Sequence, residues 1–316
     1  MVTTPVVSVI MSVYKEPTEW LHQSIDSILQ QTFNDFEFII ICDNPLYLDG
    51  ISLLNEYAKK DTRIILIFNE KNIGLTKSLN KGLSVAKGRY VARMDADDIS
   101  KPERLKRQYE YMENHPDVVV LGTKVKQFGK ASLWIKSCLS TNYTDEELKA
   151  QMLLGSCIAH PTAMIRKIVL DDNNIRYDEE YRYSQDYRLW EQLMPYGNFA
   201  KLKQTLLLYR VSNQQITKKS CSSQNKLSQS ISYRCQKRWL ESEGIYYSIE
   251  DLKADPFRII SKIKQNYRIV KSNSFKAFLQ YSYLYNPDSK SHILSFLKGD
   301  FRYMTFWSII RYLIKL

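Results

Sequence analysis

The 316-residue sequence lacks the features that mark several common protein classes. Its five cysteines, at 42, 138, 157, 221 and 235, make no C-x-x-C pair and no even framework. That spacing argues against structural zinc and for a reducing, cytoplasmic compartment. The N-terminus, MVTTPVVSVIMSVYKEP, has no basic n-region, and its apolar run is only strand-length, so no signal peptide is expected. No uncharged run approaches the ~18 apolar residues that a membrane-spanning helix needs. No Gly-rich, basic phosphate loop follows the first apolar run, where Met11 to Pro17 reads MSVYKEP, and no internal repeat is visible.

What is present is an ordinary globular composition, 44% hydrophobic and 25% charged, with an uneven charge distribution. The net charge of +11 lies entirely in the C-terminal third: residues 214–316 hold 18 Lys and Arg against 7 Asp and Glu, while residues 1–213 balance at 27 each. This predicts two regions, a neutral domain over 1–213 and a basic, mainly helical region over 214–316 suited to attachment.

Along residues 1–213 strands and helices alternate. Val6–Val13 and Glu37–Cys42 are near-continuous apolar runs of the kind buried on both faces of a parallel sheet. A helix over 18–31, with Thr18 as N-cap, separates them. Helices over 51–60 and 76–86 flank a strand over 63–68, and Gly88 is expected in a left-handed C-terminal position. A helix over 102–114 follows, opened by a Ser100–Glu103 capping box with Pro102 in its first turn. Then come a strand over 118–126 and a helix within 142–154 capped by Thr144. A strand-like stretch over 155–165 is broken at His160-Pro161, a helix opens at Gln185, and a last strand covers Thr205–Val211. The sum is an α/β fold with a mostly parallel, Rossmann-like central sheet and helices on both faces, in which ligands bind at the carboxyl ends of the strands. A polar connection over 213–230 precedes helical patterns near 225–243, 249–264, 273–285 and 291–315.

The chain is organised around Gly88–Glu103, GRYVARMDADDISKPE. An apolar-alternating run ends directly in Asp95, Asp97 and Asp98. Carboxylates crowded at a strand end repel one another, and burial disfavours their charge unless a cation compensates. Oxygen-only ligands suit a hard ion, Mn²⁺ or Mg²⁺, shared with substrate phosphates.

Five ordered segments resemble the family 2 glycosyltransferases of the GT-A fold, particularly those of bacterial capsule, exopolysaccharide and lipopolysaccharide synthesis. They are VSVIMSVYKE at 7–16, ILQQTFNDFEFIIICD at 28–43, NIGLTKSLNKGLSVAKGRYVARMDADD at 72–98, HPTAMIRK at 160–167 and YSQDYRLW at 183–190. The resemblance implies an inverting, metal-dependent transfer from a nucleotide-diphosphate sugar, with UDP-sugar as the expected donor, to a saccharide or lipid-linked acceptor. It implies that Asp43 holds the nucleotide base, Asp95 the ribose and metal environment, Asp97 the metal bridging the diphosphate, and that Asp186 is the general base. Lys77 and Arg93 are candidate phosphate contacts; His160 and Gln185 lie in the acceptor or diphosphate vicinity. Two departures stand out: Gln185-Asp186 replaces the family's Glu-Asp, and Asp43-Asn44-Pro45 replaces Asp-Gly-Ser. A bland reading stands beside each, since Asp43 could merely end a strand and Asp186 merely charge a helix N-terminus.

Two rivals are weighed. A sugar-phosphate nucleotidyltransferase would need the phosphate loop that is missing after the first strand. A nucleic-acid-binding protein is prompted by the basic, Tyr-rich C-terminal third, yet no recognisable RNA- or DNA-binding motif occurs there, so no nucleic acid is expected as a partner. The last segment, FRYMTFWSIIRYLIKL, spreads Tyr303, Phe306, Trp307, Ile310 and Leu313 over one side of a helical wheel with Arg311 and Lys315 opposite. This predicts peripheral attachment to an anionic membrane face, with packing on the catalytic domain or a second protomer as the alternative.

Overall fold

The computed structural model describes residues 4–129, 143–212, 221–265 and 267–285. The first strands form where the apolar runs predict them: β1 (Val7–Val13), β2 (Phe36–Cys42), β3 (Ile64–Phe68) and β4 (Tyr90–Asp95) pair in parallel in the order β3-β2-β1-β4. Helices α1 (Thr18–Leu29), α2 (Leu48–Lys60) and α3 (Leu75–Val85) connect them. The two-residue alternation of β1 sends Val9 and Met11 into one core with Leu21, Ile25 and Ile28 of α1. Ile10 points the other way, toward Gly82 of α3, where a Cβ would lie 2.6 Å from the Ile10 side chain. Helices therefore cover both faces, as a doubly wound sheet requires.

The remaining strands make the sheet mixed. After β5 (Ile99–Ser100) and α4 (Arg104–Asn114) come β6 (Val118–Phe128), α5 (Asp145–Gln151), a 3-10 turn (His160–Thr162), β7 (Met164–Arg166), α6 (Lys167–Asp172), α7 (Gln185–Leu193) and β8 (Asn198–Arg210). The full order is β3-β2-β1-β4-β7-β6-β8-β5; β7 runs antiparallel to β4 and β6, and β5 antiparallel to β8, whereas β6 and β8 are parallel.

Several local expectations are corrected. Pro17, not Thr18, occupies the N-cap of α1, and no side chain caps it. Ser100 and Glu103 form no capping box, because Ser100 is held in β5 opposite Leu207. The buried amide of Gln31 serves the helix start instead, its Oε1 accepting from Leu105 N at 2.9 Å. Gly88 is not left-handed; it permits close approach, since a Cβ there would stand 2.5 Å from Ser8 N. The His160 segment closes a 3-10 turn before a three-residue strand, as Pro161 has no N–H for a ladder. The last strand begins seven residues earlier than expected, at Asn198. The capping box at Thr144 forms, with Glu147 as its partner.

By packing, the chain divides into two units, one of Met1–Tyr143 with Ile158–Gln224 and one of Thr144–Cys157 with Asn225–Leu316. The second contains α5, α8 (Cys221–Ser242, mostly within it), α9 (Ile249–Ala254), α10 (Pro256–Ile263), α11 (Tyr267–Val270) and α12 (Asn273–Tyr285). Its core gathers Leu153, Leu240, Leu252, Phe257, Ile260 and Phe278. The helix expected over 249–264 is two, parted at Asp255, whose carboxylate caps α10 ahead of Pro256. Helix α8 starts at Cys221, inside the stretch expected to be connection. The helix expected over 291–315 lies outside the described residues. Among the described residues no helix is long and apolar enough to cross a membrane.

Candidate active site

Strand β4 is buried from Tyr90 to Met94 and emerges at Asp95. The chain turns at once: Asp98 N donates to Asp95 O at 3.3 Å, folding Asp95–Asp98 back on itself. One carboxylate oxygen from each of Asp95, Asp97 and Asp98 then lies within 4.8 Å of the others. Asp98 is fully buried; its Oδ1 accepts from Arg210 N at 2.8 Å, while Oδ2 has no hydrogen-bond partner among the described residues.

The electrostatics of this turn are strained. Burial, then the charges of Asp95 and Glu16, push the Asp97 carboxyl up to about 7. Burial and the charges of Asp95 and Asp97 push Asp98 well above the usual carboxylate range. Glu16, just beyond β1, is raised mainly by burial, although its Oε2 accepts from Tyr14 N at 2.8 Å and Lys15 N at 3.1 Å. An all-oxygen donor set in which protons are the alternative counter-charge fits a hard divalent cation. The residues present therefore match the group that their chemistry implies.

The other predicted residues are placed as follows. Asp43 ends β2, almost entirely buried, and its carboxylate accepts from Asn69 Nδ2 (2.8 Å), Ile73 N (2.9 Å) and Gly74 N (2.8 Å). It organises the loop that starts α3, where Gly74 takes φ +89°, a conformation that favours glycine. A carboxylate offers about four acceptor directions, so one remains for a ligand. Arg93 does not reach outward: it is buried behind Asp95, pairing Nη2 to Oδ1 at 2.5 Å and donating Nη1 to Ile10 O at 3.3 Å. Lys77 is half-exposed on α3, 3.8 Å from Glu179, and is not gathered into the turn. His160 is buried with its Nε2 2.7 Å from Tyr177 OH, and burial holds its pKa well below the ordinary value. A neutral imidazole hydrogen-bonded to that phenol is an arrangement suited to the buried interior. Gln185 and Asp186 open α7 behind Ser184, which takes a left-handed φ of 59°.

Two tyrosines lie within electrostatic reach of both Asp186 and the carboxylate turn. The Tyr209 phenol is raised by burial and then by Asp95, Asp98, Asp97 and Asp186 together. Tyr177, also raised mainly by burial, feels both Asp186 and Asp95. Both hydroxyls thus stay protonated beside the acids. Glu16, Tyr177, Tyr209 and Arg210 were not singled out from the sequence. Glu16 and Tyr209-Arg210 do follow or end predicted strands at the ligand-binding edge, and that position was the available signal.

The comparisons agree with this geometry. Residues 8–173 match the family model "Glycosyl transferase family 2". The chain is 38% identical over 210 residues to an uncharacterized glycosyltransferase of Methanocaldococcus jannaschii, MJ1057, covering 66% of this chain and 72% of that one. It is 33% identical over 217 residues to the O-antigen biosynthesis glycosyltransferase WbnJ of Escherichia coli, covering 67% and 82%. Among solved structures, S. aureus TarS 1-349 in complex with UDP-GlcNAc superposes with a TM-score of 0.59 at 17% identity, over 87% of this chain and 81% of that one. The mannosyltransferase PcManGT of Pyrobaculum calidifontis, in complex with GDP-Man and Mn²⁺, gives a TM-score of 0.56 at 13% identity, over 99% and 86%. Alternating strands and helices, a carboxylate turn at the end of β4 and a matching family model over more than half its length lead to one conclusion: the chain belongs to glycosyl transferase family 2.

Proposed function

We propose that this glycosyltransferase moves a sugar, with inversion, from a nucleotide-diphosphate donor to a saccharide acceptor during surface polysaccharide synthesis. The observation that carries the reading is the convergence of Asp95, Asp97 and Asp98 in one turn at the end of β4. The relatives' names support the pathway class, and the UDP-GlcNAc and GDP-Man complexes of structural neighbours support a nucleotide-sugar donor.

Asp97 and Asp95 would hold a divalent ion. When bound, that ion supplies Lewis-acid stabilisation of the departing diphosphate. Asp43 shapes the base pocket through the Asn69–Gly74 loop and keeps one acceptor direction for the base. Asp186 removes the proton from the acceptor hydroxyl as that oxygen attacks, on the face opposite the leaving group; an α-linked donor then gives a β-linkage. Gln185 beside it carries no charge, so no adjacent carboxylate from that position raises the basicity of Asp186.

The acceptor we propose is lipid-linked, met at the inner face of the cell membrane. The support is the C-terminal excess of 18 basic over 7 acidic residues, with each basic residue near an anionic surface contributing ~1 kcal/mol. Full-length protein should co-sediment with anionic liposomes in a salt-sensitive manner, and a chain ending near Gly299, which loses the aromatic segment 301–316 with Arg302, Arg311 and Lys315 but keeps the other basic residues, should sediment less; equal sedimentation of both would remove the tail from the account. The catalytic reading is tested by nucleoside diphosphate release from a panel of nucleotide sugars, which should require Mn²⁺ or Mg²⁺ and stop with EDTA.

A further inference from the structure

The turn that bears the carboxylates is held by two of its main-chain carbonyls and by the Asp98 side chain, and the grip comes from outside the motif. Ser24 Oγ, on α1, donates to Asp95 O at 2.9 Å. Arg210, the last residue of β8, grips the other end: its own N–H donates to Asp98 Oδ1 at 2.8 Å and its Nε to Asp97 O at 2.6 Å. Its Nη2 donates to Gln23 Oε1 at 2.6 Å, next to Ser24 on the same helix. The guanidinium is also fixed in place, 4.8 Å from the Trp20 ring and 4.4 Å from the Phe128 ring. A side chain held by two rings and two directional bonds has little freedom left, and Arg210 is 8% exposed.

We propose that Arg210 is a positioning residue, which clamps the Asp95–Asp98 turn by backbone contacts so that the carboxylates of Asp95 and Asp97 are presented together to one divalent cation. This rests on the metal-diphosphate reading above. The logic is geometric: four carboxyl groups, counting Glu16, crowd one place and repel one another once ionised, so without a rigid main chain the acids would separate as they give up their protons to bind a cation. Arg210 opposes that separation through Asp97's carbonyl and leaves Asp97's carboxylate unspent. The planar guanidinium alone can reach the Asp97 carbonyl and Gln23 at once while lying between two rings; an ammonium cannot.

Mn²⁺ binding to the full-length chain without donor, followed by the electron paramagnetic resonance of free Mn²⁺, tests this. Loss of a residue that orients metal ligands typically lowers metal affinity by about 10- to 100-fold, and Arg210→Ala should fall in that range. Gln23→Ala, which removes one contact of the guanidinium, should lower affinity by a smaller factor. Arg210→Lys should stay close to Arg210→Ala. Raising Mn²⁺ should recover part of the transfer rate lost by either Arg210 variant, which a general loosening of the fold would not allow. Wild-type affinity in Gln23→Ala and Arg210→Lys would overturn the proposal even if Arg210→Ala failed to fold. Full recovery by Arg210→Lys alone would also overturn it, since charge and not the fork would then be the requirement. Absence of Mn²⁺ binding by wild type would instead remove the metal reading on which the proposal rests.

Discussion

Asp97→Asn is expected to abolish Mn²⁺-dependent binding of a nucleoside diphosphate while leaving the protein folded. In the wild type, ligand at about 100 times its Kd should stabilise the fold by ~2.7 kcal/mol, and the variant should show none of that shift. The metal-free protein should behave in the opposite sense. Asp97 is raised from the ordinary carboxylate value to about 7 by burial and by its neighbours, so in the folded state its ionisation is unfavourable. An acid whose folded pKa lies above its unfolded one costs stability as pH rises through the folded value, because the unfolded chain gives up the proton earlier. Asparagine removes that cost. Without metal the variant should therefore equal or exceed wild type in stability at pH 8, and its advantage should shrink as pH falls below about 7. Urea unfolding at several pH values, with and without Mn²⁺, measures both effects; a variant that keeps the Mn²⁺-dependent shift would remove Asp97 from the metal site.

Asp186→Asn should split binding from chemistry. The residue stands in the first turn of α7, on an element separate from the carboxylate turn, so donor binding should be retained. Transfer to acceptor should fall by about 10² to 10⁴, the usual contribution of a positioned general base. The loss should appear in kcat, with the Kd of the nucleotide diphosphate unchanged. A variant transferring at nearly the wild-type rate would mean that another group takes the proton. Tyr177 and His160 are poor substitutes, as the phenol is raised by burial and the imidazole is already committed to it.

Much of this was legible because the relevant signals are local. The runs that became β1 and β2 are near-continuously apolar, and β2 is buried at every position, Glu37 included. The carboxylates end β4 in the sequence as they do in space, and the Thr144 capping box needs only residues three apart. What was missed depends on contacts distant along the chain. Gln31 reaches α4 from the end of α1, a separation of 74 residues that no window includes. Arg210 meets the Asp97 carbonyl across 113 residues. Gly88 was misassigned because proximity to a helix end suggested a left-handed residue, whereas the constraint is the Ser8 backbone alongside it. The early part of β8 was passed over because NFAKLKQ carries lysines where a strand was expected to be apolar. Lys201 is nearly buried and lies 5.2 Å from the Tyr143 ring, a placement that its charge conceals in a sequence reading. Arg93 was expected among the phosphate contacts, and its place behind Asp95 depends on the depth of β4 in the sheet.

The central claim is that the Asp95–Asp98 turn and Asp186 perform donor activation and proton removal on one nucleotide sugar. The most direct measurement follows nucleoside diphosphate release and glycosylated product together, for wild type, Asp97→Asn and Asp186→Asn, across UDP- and GDP-sugars with Mn²⁺ and with EDTA. The account predicts a donor that wild type turns over only with the metal, no release by Asp97→Asn, and Asp186→Asn binding that donor while forming little product. Release that is indifferent to EDTA and undiminished in Asp97→Asn would contradict it.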